Sequence, residues 1–343
     1  MKYDVVLYYF ESGHLNQIYD GFARLQKCGI CNVTYKKAEG ISSKPLLYAL
    51  INGKRVLYDT LDGLNWIEND IENNLKYFES HDFNVDYYFK RSYTSLLQQY
   101  VHNRFMLYPL GLNYNIHPIS YPYSVNRLRD RFIASKLVEK IVGKRRFYAE
   151  DFTCEPQNIN NRILFFTRLW DPSCFRLSSP HTYENWMQLN RNRIECIRVC
   201  KKYYGNQFIG GIQTDDYSIR LCSSDLLIPN YMTKRGNFLN EVKKCSICIT
   251  TTGLFDSIGW KFAEYIAASR AIVTEPLCYE LPGNISKNKN FLEFTNPTEL
   301  IESINILLND SLLLKNMMEA NYNYYKKYVQ PDKLIYNTLL KIK

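Results

Sequence analysis

Apolar and polar positions along this chain alternate between two periods, and the switching predicts the order of its elements. Tyr3–Phe10 is dominated by Val, Leu, Tyr and Phe and reads as a strand, followed by a loop, Glu11-Ser-Gly-His14. From about Leu15 to Lys27 the period lengthens, with Ile18, Phe22 and Leu25 on one helical face. Gly29 then precedes a second strand, Cys31–Tyr35. A β-α-β unit of this kind closes right-handed, which makes the two strands parallel neighbours. Further strands are expected at Leu46–Leu50, Arg55–Tyr58, Tyr87–Phe89 and Met106–Pro109, with helices around Ile71–Phe78 and Thr94–Val101.

Between Asn126 and Arg146 the pattern predicts a basic amphipathic helix. Arg127, Arg129, Arg131, Lys136, Lys140, Lys144, Arg145 and Arg146 punctuate apolar Leu128, Phe132, Ile133, Leu137 and Ile141. Such a face suits an anionic membrane surface, and it equally suits a solvated helix beside a domain junction. The polar stretch Thr153–Asn161 reads as a linker, after which the alternation restarts. Arg162–Thr167 is a strand, Trp186–Tyr204 a helix, Gln207–Ile212 a strand and Tyr231–Lys244 a helix. The expected organisation is an α/β protein of two units, 1–152 and 153–325, with a C-terminal helical segment, 326–343, packing back toward the first unit.

The most informative stretch follows. An apolar strand, Cys245–Thr252, runs into a small-residue turn with Gly253, Ser257 and Gly259. A helix bearing Lys261 and Glu264 comes next, and a buried strand, Ala271–Thr274, ends the unit. Strand–turn–helix units aim helix N-terminal N–H groups at an anion, and diphosphates commonly bind there. Lys261 and Glu264 lie three residues apart and share a helix face, as a diphosphate-binding cation or as an ordinary surface ion pair.

This stretch resembles the donor-sugar half of GT-B glycosyltransferases, which move a sugar from a nucleotide sugar to an acceptor. Many carry an acidic residue, seven intervening residues and then Glu, and Asp256 and Glu264 have that spacing. The resemblance implies paired Rossmann-like domains facing across a cleft, with Glu264 accepting from the ribose hydroxyls. It also implies a sugar-contacting role for Asp256, one methylene shorter than the Glu usual there. Arg168, at the end of the first strand of the second unit, matches the family's basic diphosphate contact, although no Gly precedes it. An ion pair between Arg168 and Asp171 is the structural alternative. Lys234 and Arg235 are weaker candidates for the same anion, and Gly210-Gly211 closes a strand where a backbone can approach a ligand.

The first unit should supply the acceptor side. Asp59 and Asp62 lie just beyond one strand, and Glu11, Gly13 and His14 follow another; each carboxylate is equally a turn or capping residue. Asp62 and His14 are the candidates for base or sugar contact. Lys90 and Arg91 end a further strand and suit an anionic acceptor such as a lipid-linked diphosphate.

Composition narrows the classes. The chain has 343 residues, 46% hydrophobic and 22% charged, which is a globular balance. Its 29 tyrosines suit sugar-facing surfaces and equally a low-GC codon bias. The net charge of +9 points to an anionic partner. Nucleic acid is disfavoured, because the basic residues are dispersed and no aromatic RNA-binding signature or zinc finger occurs. With no apolar run long enough to span a membrane and no signal-like N-terminus, the expected location is cytoplasmic or peripheral on the inner membrane face. The ten cysteines then read as reduced thiols; neither Cys28/Cys31 nor Cys245/Cys248 has a convincing metal-binding context. No Asp-x-Asp motif is present, so a metal-independent reaction without a cofactor is expected. The function expected is sugar transfer in surface polysaccharide synthesis, onto a saccharide or lipid-linked saccharide. A nucleotide-sugar epimerase of the same fold, or an inactive GT-B partner protein, are the alternatives.

Overall fold

The computed structural model describes residues 2–39, 44–67, 70–120, 145–156, 159–174 and 180–343. The basic helix expected over 126–146 falls outside these, except for Arg145 and Arg146 at its end. The first unit contains β1 (Tyr3–Tyr9), α1 (Asn16–Lys27), β2 (Cys31–Lys37), β3 (Leu46–Ile51), β4 (Lys54–Asp59), α2 (Ile71–Ser80), β5 (Tyr87–Lys90), β6 (Met106–Pro109) and α3 (Ala149–Phe152). Its sheet has the order β2-β1-β3-β4-β5-β6. β1 and β2 are parallel neighbours, as the β-α-β pattern required. β3 runs antiparallel to both β1 and β4, because the tight turn at Asn52-Gly53 returns the chain directly. The remaining pairs are parallel, so the carboxyl ends of β1, β4, β5 and β6 share one edge.

The second unit contains β7 (Ile163–Thr167), α4 (Pro180–Tyr204), β8 (Phe208–Gln213), α5 (Asp216–Leu221), β9 (Leu227–Ile228), α6 (Asn230–Thr233), α7 (Arg235–Lys244), β10 (Ile247–Thr250), α8 (Trp260–Ala267), β11 (Ala271–Thr274), β12 (Phe291–Glu293), α9 (Pro297–Asn309), α10 (Ser311–Tyr324) and α11 (Pro331–Leu339). Its strand order is β12-β11-β10-β7-β8-β9, and every pair is parallel. The chain enters at β7, builds outward through β8 and β9, then returns to lay β10 on the other side of β7. That reversal between β7 and β10 is where an open α/β sheet leaves a crevice outside its strand ends. β7, β10 and β11 are buried at every position, as strands covered by helices on both faces must be. Two α/β units, each built on a six-stranded sheet, thus form the layout that the resemblance implied.

Several local expectations change. The helix expected at Thr94–Val101 is a 3-10 segment, Ser95–Tyr100. That expected over Tyr231–Lys244 breaks at Lys234, whose extended ψ of 134° ends α6 and begins α7. α5 and β9 are too short for periodicity to reveal.

The last helix crosses back. Leu334, Ile335 and Leu339 of α11 join the core beneath β1 and β2, with Leu7, Phe22 and Val33. Each such side chain contributes about 1.5–3 kcal/mol relative to exposure. Polar contacts fix the seam: Gln17 Nε2 donates to the Val329 carbonyl at 2.7 Å, and the Tyr58 and Thr338 hydroxyls lie 2.9 Å apart. Gly21 of α1 lies against Pro331, and a Cβ there would overlap the Pro331 carbonyl oxygen and the Ile335 side chain. Gly→Ala inside a helix ordinarily stabilises, but here overpacking dominates. Gly21→Ala is expected to lower stability by about 1–3 kcal/mol, read as a lower urea midpoint; an unchanged or raised midpoint would contradict this packing.

Candidate functional site

The turn between β10 and α8 is built by its own backbone. Gly253 N–H donates to the Ser257 carbonyl at 2.8 Å, and Ser257 N–H donates to the Leu254 carbonyl at 3.2 Å. A Cβ on Gly253 would lie 2.6 Å from Ser257 Oγ and 3.2 Å from the Ser257 carbonyl oxygen, so a larger residue would displace Ser257. Phe255 and Asp256 both have φ of 56°, a left-handed pair that non-glycine residues adopt only when surroundings hold them. The first unit helps to hold it, since Gly63 packs directly on Phe255. Tyr279 Oη adds a hydrogen bond to the Phe255 carbonyl at 3.0 Å. Gly259 caps α8, and nothing lies within 4 Å of where its Cβ would be.

This turn opens on a cavity of about 450 Å³ at the junction of the two units. The carboxyl ends of β7, β8 and β10 supply Phe166, Thr167, Gln213 and Thr250; the first unit supplies His14, Asp62 and Arg91. Five cations line it, Arg91, Arg168, Arg193, Arg235 and Lys261, against two carboxylates, Asp62 and Glu264. Arg91 pairs with Asp62 and donates to the Ile258 carbonyl. Arg235 pairs with Glu264 at 2.7 Å. Arg193 is buried, donating to Thr251 Oγ1 at 3.0 Å and to the Arg168 and Thr252 carbonyls at 2.8 Å. Burial pushes its guanidinium down to about 10, against a partial pull from Glu275.

Arg168 and Lys261 differ from the other three: among the described residues they have neither a carboxylate within ion-pair distance, as Arg91 and Arg235 have, nor the carbonyl and hydroxyl partners of Arg193. Arg168 lies over the Trp170 ring at 3.7 Å from its centroid. Burial, then the neighbouring Arg193, holds the Lys261 ammonium down at about 8. His14 packs beside Trp260 with ring centroids 4.9 Å apart. Its Nδ1 is buried without a partner among the described residues, and desolvation lowers its pKa below the ordinary value. The arrangement is a half-enclosed, cation-lined cavity at a helix N-terminus, of a kind that suits an anion, with a buried carboxylate on the same helix.

The structure therefore gathers His14, Asp62, Arg91, Arg168, Gly253, Ser257, Gly259, Lys261 and Glu264 around one cavity. It does not place the other candidates there. Lys90 is fully buried in the first unit, bonded to Asp59 at 3.1 Å and to the Gly63 carbonyl at 2.9 Å, so it is unavailable to an acceptor. Asp59 is committed to the same core network, accepting from Tyr88 Oη at 2.6 Å and Trp66 Nε1 at 2.9 Å. Lys234 is exposed outside the cavity, and its neighbour Arg235 takes the inward position. Asp256 is exposed in the left-handed part of the turn, outside the main cavity. Gly13 lies against Asn115 and does not line the cavity. Among the described residues, Asp171 pairs with Arg220 at 3.5 Å and not with Arg168. Gly210 is needed for packing, because a Cβ would overlap the Phe208 ring. Among the described residues no group of three His, Cys, Asp or Glu could hold a metal ion.

Sequence reasoning missed Arg193, Trp170, Trp260, Thr250 and Thr251. Arg193 left a trace: with Asn190, Ile197 and Cys200 it occupies the buried stripe of α4, where a charge is out of place on a surface reading.

No family model and no curated protein matches the chain. Similarities exist among solved structures. HepE from Anabaena, in complex with UDP, is 12% identical over 97% of this chain and 97% of its own, with a TM-score of 0.37. A point mutant of TarM from S. aureus, in complex with fondaparinux, α-GlcNAc-glycerol and UDP, is 12% identical, with a TM-score of 0.45. That match takes in 82% of this chain and spans only 50% of TarM. The C-terminal domain of LpcC, a group 1 family glycosyl transferase from Francisella tularensis, is 11% identical over 53% of this chain and 97% of that domain, with a TM-score of 0.37. At such distances the two sheets and the cavity carry the weight themselves.

Lys261, with no carboxylate partner among the described residues, gives the cavity a pH signature. Its ammonium is charged below about 8 and loses its proton above. A bound dianion raises that pKa, so affinity is constant below the free value and falls as pH rises through it. Sulfate, which keeps its charge throughout, is expected to bind up to about tenfold more weakly near pH 9 than near pH 7, read by calorimetry, and Lys261→Met should flatten the profile. A wild-type profile that is flat across this range would remove Lys261 from the anion site.

Proposed function

We propose that this chain transfers a sugar from a nucleotide sugar to a saccharide or lipid-linked saccharide acceptor, with the cavity at the β7/β10 reversal as the donor site. One observation carries the reading. Arg168 and Lys261, without a carboxylate partner among the described residues, stand where α8 begins, and a buried carboxylate, Glu264, lies one turn along the same helix. A diphosphate meets the two cations and the helix N-terminus, while a ribose hydroxyl meets Glu264.

In the reaction, the bond from the anomeric carbon to the β-phosphate oxygen breaks, and its electron pair stays on the diphosphate. Arg168, Lys261 and the amino end of α8 face the oxygen on which that charge grows, in a site partly shielded from water. They supply the charge that a divalent metal provides elsewhere, so a metal-independent reaction is proposed. An acceptor hydroxyl forms the new bond to the anomeric carbon and releases its proton. His14, held neutral by burial, offers its unpartnered Nδ1 to the sugar or the acceptor. Asp62 is the carboxylate that the first unit brings to the cavity, oriented by Arg91. No described helix is long and apolar enough to cross a membrane. The chain's charge of +9 supports meeting a lipid-linked acceptor at an anionic cytoplasmic membrane face during surface polysaccharide assembly.

Calorimetry with UDP, GDP, CMP and ADP tests the donor site. One nucleotide is expected to bind saturably, and Glu264→Ala should weaken it by about tenfold or more, as loss of a hydrogen bond to a charged group does. If the folded wild type binds none of the four, the reading fails. If a nucleotide binds but its sugar conjugate is never consumed with any acceptor, the inactive partner protein is favoured, in keeping with Asp256 standing outside the cavity.

A further inference from the structure

We propose that Arg235 is a positioning residue that commits one carboxylate oxygen of Glu264, so that the pocket engages one of the two ribose hydroxyls of a nucleotide and not both. The proposal rests on the donor-site reading above and adds a selectivity to it. A carboxylate with both oxygens free can accept from both hydroxyls of a vicinal diol. Glu264 is not free in that way. It is 1% exposed, and its Oε1 accepts from Arg235 Nη1 at 2.7 Å. Its Oε2 is buried without a partner among the described residues, on a side chain that lines the cavity, and is the oxygen with acceptor capacity to spare.

Arg235 is not a side chain that a neutral hydroxyl would displace. It opens α7, directly after the break at Lys234 that turns it inward. Its Nη2 donates to the Asn115 carbonyl at 3.1 Å, and its guanidinium lies 5.0 Å from the centroid of the Phe152 ring. The Arg235–Glu264 bond carries charge on both partners, whereas a ribose hydroxyl brings none, so the ribose takes the unpartnered oxygen. The Asn115 contact also reaches the wall that carries His14: Asn16 Nδ2 donates to Asn115 Oδ1 at 3.3 Å, and Asn113 Nδ2 donates to the His14 carbonyl at 2.9 Å. Arg235 therefore fixes Glu264 relative to both units.

The test compares the ribo, 2′-deoxy and 3′-deoxy forms of UDP, GDP and ADP by calorimetry, on wild type, Arg235→Met and Arg235→Lys. For the base that binds, wild type should lose about tenfold or more with one deoxy form and stay within about twofold with the other. Arg235→Met frees the second oxygen, so both deoxy forms should then bind more weakly than the ribonucleotide. Arg235→Lys restores a cation on Oε1 and should restore the asymmetry. A merely structural role for Arg235 would weaken all three forms together and leave their ratios unchanged. Equal losses with both deoxy forms in wild type, or no loss with either, overturns the proposal. Should the Met variant not fold, Arg235→Gln takes its place, and the wild-type comparison alone still overturns the proposal when the two losses are equal or absent. Absence of any ribonucleotide binding to folded wild type overturns the donor-site reading and the proposal with it.

Discussion

The guanidinium of Arg91 reaches out of the first unit and donates to the carbonyl of Ile258, one residue before the cap of α8, while its other arm holds Asp62. Much of the site depends on this contact. The turn from Gly253 to Gly259 closes on its own backbone hydrogen bonds but contains two left-handed non-glycine residues. Gly63, Tyr279 and Arg91 grip it from outside, and so determine where the amino end of α8 points. Arg91 is itself fixed from below, because Lys90 beside it is locked to Asp59 in the core of the first sheet. Removing one member of such a buried pair typically costs about 3–5 kcal/mol. The cavity is therefore a joint product of both units, although its chemistry belongs mainly to the second.

Charge is distributed unevenly within that cavity, and the unevenness is informative. Arg91 and Arg235 each have a carboxylate, and Arg193 is spent on two carbonyls and a hydroxyl that tie α4 to the ends of β7 and β10. Those three are architectural. Arg168 and Lys261 have no such counter-charge among the described residues, and Lys261 is held down at about 8 by burial and by its cationic neighbours. An arrangement that raises the free energy of two cations in the resting protein is relieved by a dianion. In the proposed reaction the same cations would stabilise the charge that grows on that dianion.

Much of this was legible in the sequence, for identifiable reasons. Continuous apolar runs such as Ile247–Thr250 and Ala271–Thr274 announced covered parallel strands, and the glycine and serine spacing after the first announced the turn. That Glu264 and Lys261 share a helix face followed from their spacing, whereas a ribose contact for Glu264 came only with the family resemblance. What stayed hidden depended on tertiary contact. Nothing local distinguishes Lys90, which is buried with Asp59, from Arg91, which faces the cavity, since adjacent residues at a strand end exchange faces. Lys234 and Arg235 divide in the same way at a helix break. Asp256 had the expected spacing to Glu264, but the left-handed turn placing it outside the cavity is imposed by Gly63 and Tyr279, both remote from it in sequence.

The most direct test of this account is a crystal structure of the chain with a bound nucleoside diphosphate. The account predicts the diphosphate between Arg168 and Lys261 at the amino end of α8, with the ribose against Glu264. A diphosphate bound elsewhere, for instance in the separate cavity between α4 and α9 lined by Arg191, Arg198 and Asn296, would contradict it.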